Sequence, residues 1–315
     1  MRWENNAKWL GFVCLVSVVL AACSPASTLP APPPATQPGL AATGAVSIPP
    51  VPSLTLDQLK NMDVQLVATD KHPTVKLSNG EYKAGAAAGS PDYADVKLVP
   101  DFVALGDLNG DGREDAAFLL SENYGGSGVF VSLIPVLNQD GNPVQAGGIL
   151  IDDRPKITGL EIQDGRINFT GNVHGPNDPA CCAAQPVVES YRVTSGGPVP
   201  WGVVTTTPNG EQRVIKIDSP AGGSVVAAGP VQVKGSYTVS PFENTLAYRV
   251  TDEAGVELGT GSIQAQGEMG KPGTFDGTVD LSAAPAGSSV WVSVSDKSAA
   301  DGSTLAMDTV MLVIK

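Results

Sequence analysis

At 315 residues, with 36 Gly and 26 Pro against 5% aromatic and 16% charged residues, the chain is long enough for two domains and rich in turn formers. A mostly β chain follows from that balance. The formal net charge of −13 speaks against nucleic acid or an anionic membrane surface as a charge-driven partner, because such binding draws on Lys and Arg.

Met1 to Ala22 carries early basic residues, Arg2 and Lys8, then an uncharged apolar run from Trp9 to Leu20. That run has the length of a signal-peptide core and is too short to span a bilayer. It ends in Leu20-Ala21-Ala22-Cys23, which resembles the bacterial lipobox. The resemblance implies cleavage after residue 22 and a lipid on Cys23. The protein would then be extracytoplasmic and held to the cell membrane, or to an outer membrane if the source has one. A plain secretory signal with an incidental Cys is the alternative. Residues 23–53 follow as a Pro/Ala-rich tether, uncharged from Ser24 to Pro52. At about 3 Å per residue it reaches on the order of 80 Å.

Residues 54–195 form the first expected domain, β-rich with one short helix. Thr55-Leu56-Asp57-Gln58 is a capping box that opens a helix ending near Met62. Strand-like runs follow at Val64 to Ala68, Thr74 to Leu77 and Val96 to Leu105, then Ala116 to Leu120, Gly128 to Leu137 and Val187 to Val193. Ile157 to Phe169 reads as a hairpin turning at Asp164-Gly165, and Asn79-Gly80 and Asp140-Gly141 are further turn signals. About seven strands are expected.

The densest chemistry in the chain is Gly106 to Ala116, GDLNGDGREDA. Asp107, Asn109, Asp111 and Asp115 stand at positions 1, 3, 5 and 9 of a calcium loop, with Gly112 at the sharp turn of position 6. No amphipathic helix flanks it, so the loop belongs between strands. It resembles the aspartate-rich loop of FG-GAP and VCBS-type repeats, which implies calcium held by Asp107, Asn109, Asp111 and Asp115 and by the backbone carbonyl of Arg113. The motif occurs once, where a propeller needs several blades, and Phe118 replaces the Glu of position 12. A polar Asx turn without metal is the competing reading.

His174-Gly175-Pro176-Asn177-Asp178-Pro179-Ala180-Cys181-Cys182 is the second cluster. With Cys14 cleaved away and Cys23 lipidated, Cys181 and Cys182 are the remaining thiols in an oxidising compartment. A vicinal disulfide between them is one reading. A soft-metal site with His174 is another, and a redox role without C-x-x-C is a third.

A linker is expected over 196–213 and a second domain over 214–315. Val231, Val233, Tyr237 and Val239, then Leu246, Tyr248 and Val250, then Val290, Val292 and Val294, alternate with polar residues at the period of half-buried strands. Recurrent turns between them fit an immunoglobulin-like sandwich of about seven strands. Ile217-Asp218-Ser219-Pro220, Gly222, Val231 to Gly235, Phe242-Glu243, Asp252 to Gly255, Gly261, Phe275 and Asp301-Gly302 resemble the immunoglobulin-like domain of bacterial spore germination proteins. That family implies a small extracytoplasmic β-sandwich and carries no catalytic residues to transfer. Trp291 alternates away from the core valines, so it faces solvent or a cover from outside the sandwich.

These readings point to a lipid-anchored binding or structural protein without catalytic residues. Its immunoglobulin-like module would meet a protein or cell-wall partner, and nucleic acid is not expected. The alternatives are a cell-envelope hydrolase working through a carboxylate pair and an assembly factor for an envelope complex. A deep pocket holding two carboxylates away from residues 107–115 would favour the hydrolase.

Overall fold

Thr55 closes the first turn of α1 (Leu56–Lys60) as the capping box requires, its hydroxyl accepting from the Gln58 N–H while the Gln58 side chain accepts from the Thr55 N–H. The structure, a computed structural model, describes residues 52–69 and 73–315. The expected signal peptide, Cys23, the tether as far as residue 51 and His72 lie outside the described residues. After α1 come β1 (Asp63–Gln65), β2 (Thr74–Lys76), β3 (Glu81–Ala84), β4 (Ala94–Gly106), β5 (Asp115–Asn123) and β6 (Phe130–Gln139). They are followed by β7 (Asn142–Gln145), β8 (Ile149–Asp153), β9 (Lys156–Gln163), β10 (Arg166–Val173), β11 (Gln185–Thr194) and β12 (Gly197–Thr206).

One sheet of this first domain runs β3-β4-β5-β6-β7, with β8 also paired to β6, and β9 to β12 form an antiparallel run of their own. The central strand β5 is buried on both faces, which explains its unbroken apolar run. Phe118 and Leu120 pack with Leu59, Val64 and Ile134 under α1 and the β1-β2 pair. Ala117 and Leu119 pack the other way, with Leu133, Ile167, Phe169 and Tyr191. The turns at Asp140-Gly141 and Asp164-Gly165 have positive φ at both residues, the twist that two-residue hairpins need, and join β6 to β7 and β9 to β10. Asn79-Gly80 adopts the same turn, but only Ser78 and Glu81 bridge across it. Its flanking strands then part, β2 to β1 and β3 to β4.

The second domain adds β13 (Gln212–Arg213), β14 (Ile215–Ser219), β15 (Val225–Val226), β16 (Pro230–Tyr237), β17 (Thr245–Thr251), β18 (Glu257–Gln266), β19 (Gly273–Asp280), β20 (Ser289–Lys297) and β21 (Thr304–Ile314). It is an immunoglobulin-like β-sandwich. Sheet order β14-β16-β19-β18 faces β18-β17-β20-β21, with β18 pairing β17 along most of its length and β19 at Ala265 and Gln266. The alternating valines Val290, Val292 and Val294 are fully buried, together with Val233, Leu246 and Phe275.

The expected linker over 196–213 is corrected by β12, which occupies Gly197–Thr206. β12 pairs with β11 on one side and with β21 of the second domain on the other, through Val203 to Met307 and Val204 to Ala306. Its Gly and Pro content hid a strand that tertiary pairing stabilises. Side chains extend this junction. The Arg192 guanidinium donates to the carbonyls of Asp252 (2.9 Å) and Glu253 (3.2 Å) and lies 3.9 Å from the centre of the Trp291 ring, while Thr194 Oγ1 donates to Ala254 O at 3.0 Å. Trp291 is therefore covered from outside its own sandwich, by an arginine of the first domain.

Candidate functional site

The acidic loop joins β4 to β5, whose ladder closes at Gly106 opposite Asp115. Gly106 is needed there because a Cβ would meet Ile162 Cγ2 at 2.5 Å, so only Gly lets β9 lie against the loop's base. The side chains of Asp107, Asn109, Asp111 and Asp115 are folded back on backbone N–H groups. Asp107 Oδ1 accepts from Gly110 (2.7 Å) and Asn109 (3.2 Å), and Asp107 Oδ2 accepts from Gly112 (2.9 Å). Asn109 Oδ1 accepts from Asp111, and Asp111 Oδ1 from Arg113. Asp115 is fully buried, with Oδ2 accepting from Leu108 and Oδ1 from Asn138, so it braces the loop against β6. The Arg113 side chain turns away to Asp140, at 3.1 Å.

Electrostatics separate the loop's carboxylates. Burial, and then the charges of Asp111 and Asp107, raise Asp115 above its ordinary value. For Asp107, burial pushes upward, but the N–H donors of Gly112, Gly110, Asn109 and Asp111 together prevail and hold it below its ordinary value. Among the described residues no three His, Cys, Asp or Glu side chains converge as a metal cluster. The exposed oxygens of Asp107, Asn109 and Asp111 keep lone pairs beyond those that accept N–H, which suits a hard cation. Asp115, enclosed and already doubly hydrogen-bonded, is the least available of the expected ligands.

A larger feature lies between the domains. A cleft of about 670 Å³ is enclosed by β8, β11 and β12 on one side and by β17, β20 and β21 on the other. The size suits a small organic ligand. Its first-domain wall carries the carboxylates of Asp152 and Glu189 and the guanidinium of Arg192. Asp152 Oδ2 accepts the His174 N–H at 2.6 Å and lies 2.9 Å from His174 Nδ1, leaving Nε2 enclosed without a partner. Tyr191 donates to Glu189 Oε2 at 2.5 Å. Burial, with a smaller push from the Asp152 charge, raises the Glu189 carboxyl. The second-domain wall carries Trp291, Arg249 and Lys297, with the hydroxyls of Ser293 and Ser295.

His174 thus comes into the cleft, while Cys181 and Cys182 sit on an exposed loop as a vicinal disulfide. Asp178 closes that loop by accepting from Gly175 and Ala184. His174 is turned to Asp152 and takes no part in a site with sulfur. Sequence reasoning missed Asp152, Glu189, Arg249 and Lys297, because no local spacing joins strands β8, β11, β17 and β20.

Residues 214–303 match the family model described as the immunoglobulin-like domain of bacterial spore germination (Gmad2). The second domain is similar to that family. Such a domain points to a non-enzymatic interaction module. No curated protein matches the chain.

A second cavity of about 690 Å³ adjoins the cleft. Asp296 lines it, almost wholly buried, with Oδ2 3.4 Å from Arg213 and Oδ1 without a donor. Burial outweighs Arg213 and raises this carboxyl to about 6. Its folded value therefore lies above the unfolded one of about 3.9, so between them the folded state binds more protons. The resulting stability is fully present below pH ~4 and is lost as pH rises through ~6, a change of about 3 kcal/mol. Subtracting the pH profile of Asp296→Asn from that of the parent in urea unfolding should leave this fall. A flat difference would show that Asp296 titrates as an ordinary carboxylate.

Proposed function

We propose that the chain is a lipid-anchored extracytoplasmic binding protein, non-catalytic, whose immunoglobulin-like module presents a surface to a protein or cell-wall partner. The observation that carries this reading is the junction of β12 with β21, reinforced by Arg192 and Trp291, which fixes the module on the first domain. A module held rigidly loses little freedom when it docks. The lipid anchor rests on the lipobox ending in Cys23. Cys23→Ala should release the protein from the membrane fraction, and retention after a carbonate wash would remove the anchor from this reading.

Calcium at the acidic loop belongs to the same proposal. Asp107, Asn109, Asp111 and the Arg113 carbonyl would hold it, with Asp115 bracing the loop from below, and the ion would stabilise without assisting a reaction. Its binding to the folded state alone raises stability by about 2.7 kcal/mol when calcium is a hundredfold over Kd. Because the two domains share a strand junction, calorimetry should show one transition that rises with millimolar calcium and falls with chelator. Asp111→Ala should abolish that response. A parent transition indifferent to both additions would leave the loop a polar turn.

One observation favours a second reading. Asp152 and Glu189 are two carboxylates in one deep cleft apart from the acidic loop, the arrangement a cell-envelope hydrolase would use. Against it, each is committed to a neighbour, Asp152 to His174 and Glu189 to Tyr191. Release of soluble fragments from cell-wall glycan, abolished by Glu189→Gln, would support the hydrolase; background release from the parent would leave the binding reading.

A further inference from the structure

The loop between β10 and β11, residues 174–184, carries a group that neither the acidic loop nor the cleft employs, the disulfide between the adjacent residues Cys181 and Cys182. A disulfide stabilises chiefly by restricting the unfolded chain, and more so the longer the loop it closes. At a sequence separation of one, this bridge closes the shortest loop a chain can offer, so it restrains the unfolded state little. Its position argues the same way. Both cysteines are exposed and neither packs into a hydrophobic core. Stability accounts poorly for such a bridge, whereas exposure leaves its sulfurs open to a thiolate from solution.

The loop is held at two levels. At its root Asp178 Oδ2 accepts from the N–H of Gly175 at 2.9 Å and of Ala184 at 2.8 Å, and the flanking Pro176 and Gln185 line both interdomain cavities. At its tip the Cys182 N–H donates to Pro179 O at 2.9 Å, and the Ala180 carbonyl accepts from Arg154 Nη2 at 2.5 Å. That carbonyl belongs to the peptide bond entering Cys181, so a ring that locks Cys181 to Cys182 also limits where it can point. Arg154 is fixed in turn by Asp153, with Nε to Oδ1 at 3.0 Å and Nη2 to Oδ2 at 2.6 Å. Asp153 Oδ1 also accepts from the Val129 N–H. The disulfide thus governs one contact, the clamp of the tip onto the end of β8.

We propose that Cys181–Cys182 is a reversible redox-modification site reduced by a dithiol, and that reduction unclamps the tip from Arg154 while the root on Asp178 stays closed. A thiolate of the dithiol attacks one cysteine sulfur, the S–S bond breaks, and the other cysteine leaves as a thiolate that takes up a proton. The second thiol of the dithiol, deprotonated, displaces the first cysteine from the mixed disulfide, and that cysteine is protonated in turn. This chain gains two electrons and two protons, and the dithiol becomes a disulfide. Redox state then sets the surface presented at the edge of the cavities that Pro176 and Asn177 line. The inference goes beyond the binding reading and depends on neither the anchor nor the calcium loop.

Dithiothreitol is the probe dithiol, applied to the folded protein without denaturant, with alkylation and peptide masses reporting residues 181 and 182. Native reduction should run within about threefold of the rate in urea, and the bridge should return in oxidised dithiothreitol. Elastase, which cuts after alanine, reads the tip once the thiols are blocked and the dithiol removed. It should cut after Ala180 or Ala183 about tenfold faster than in the oxidised protein, the change expected for losing one charged hydrogen bond. Cys181→Ser combined with Cys182→Ser should be cut at the faster rate without any dithiol. The proposal is overturned if the bridge yields only in urea, or if both thiols are free in protein purified under oxidising conditions. It also fails if the reduced parent or the double variant is cut no faster than the oxidised parent. A melting temperature lowered by more than about 5 °C on reduction would make the disulfide structural and overturn it as well.

Discussion

The short ladder between β12 and β21 is the contact on which the rest of the molecule depends. Only Val203 and Val204 pair with Met307 and Ala306, and Thr205 and Thr206 with Arg213 and Gln212, too few backbone bonds to fix two domains by themselves. Side chains make up the difference. Thr205 Oγ1 donates to Leu305 O at 2.6 Å, and Arg192 fills the far side of the junction. Burying a guanidinium is costly, and here the burial lowers Arg192 to about 10 despite the charges of Asp252 and Glu253. Carbonyls of the Asp252 to Gly255 turn satisfy its donors, and the Trp291 face supplies a cation-π contact. A polar contact that must be satisfied at several points at once specifies one way for the two domains to meet, which apolar burial alone would leave adjustable.

The acidic loop is built on the same economy of polar satisfaction. Its aspartates repel, yet Asp107 and Asp111 find N–H donors within the turn, and the glycines at 110 and 112 take positive φ so that the donors to Asp107 point inward. Such a loop keeps its shape by backbone hydrogen bonds and leaves its outer oxygens to solvent or a cation. Asp115 differs from the others in kind. It joins two strands from beneath, through Leu108 and Asn138, so its loss would disturb the first domain whether or not metal binds.

Much of this architecture is legible in the sequence because its causes are local. Alternation of valines, a capping box, and Asn-Gly or Asp-Gly turns each act within a few residues, and the corresponding elements appear where expected. The pattern is weakest for β7, β8 and β12. β7 contains Pro143, β8 ends in two aspartates, and β12 mixes Gly and Pro with valine, so none reads as a strand until a partner is present. Those omissions also hide the cleft, since β8 and β12 form part of its walls. Trp291 shows the limit well. Alternation says correctly that it leaves the sandwich core, but its cover comes from Arg192, 99 positions earlier in the chain.

The cleft's charge pattern follows from how the domains meet. Asp152, Glu189 and Arg192 come from the first domain and Arg249 and Lys297 from the second, so charges of both signs share a space of about 670 Å³. At physiological ionic strength the Debye length is about 8 Å, so the field of the distant surface acids is largely screened while charges inside the cleft still act on each other. The acidic whole therefore does not dictate the potential inside the cleft. That is set by local pairing, with Asp152 bonded to His174, Glu189 accepting from Tyr191 and Arg249 paired with Glu257 at 2.9 Å.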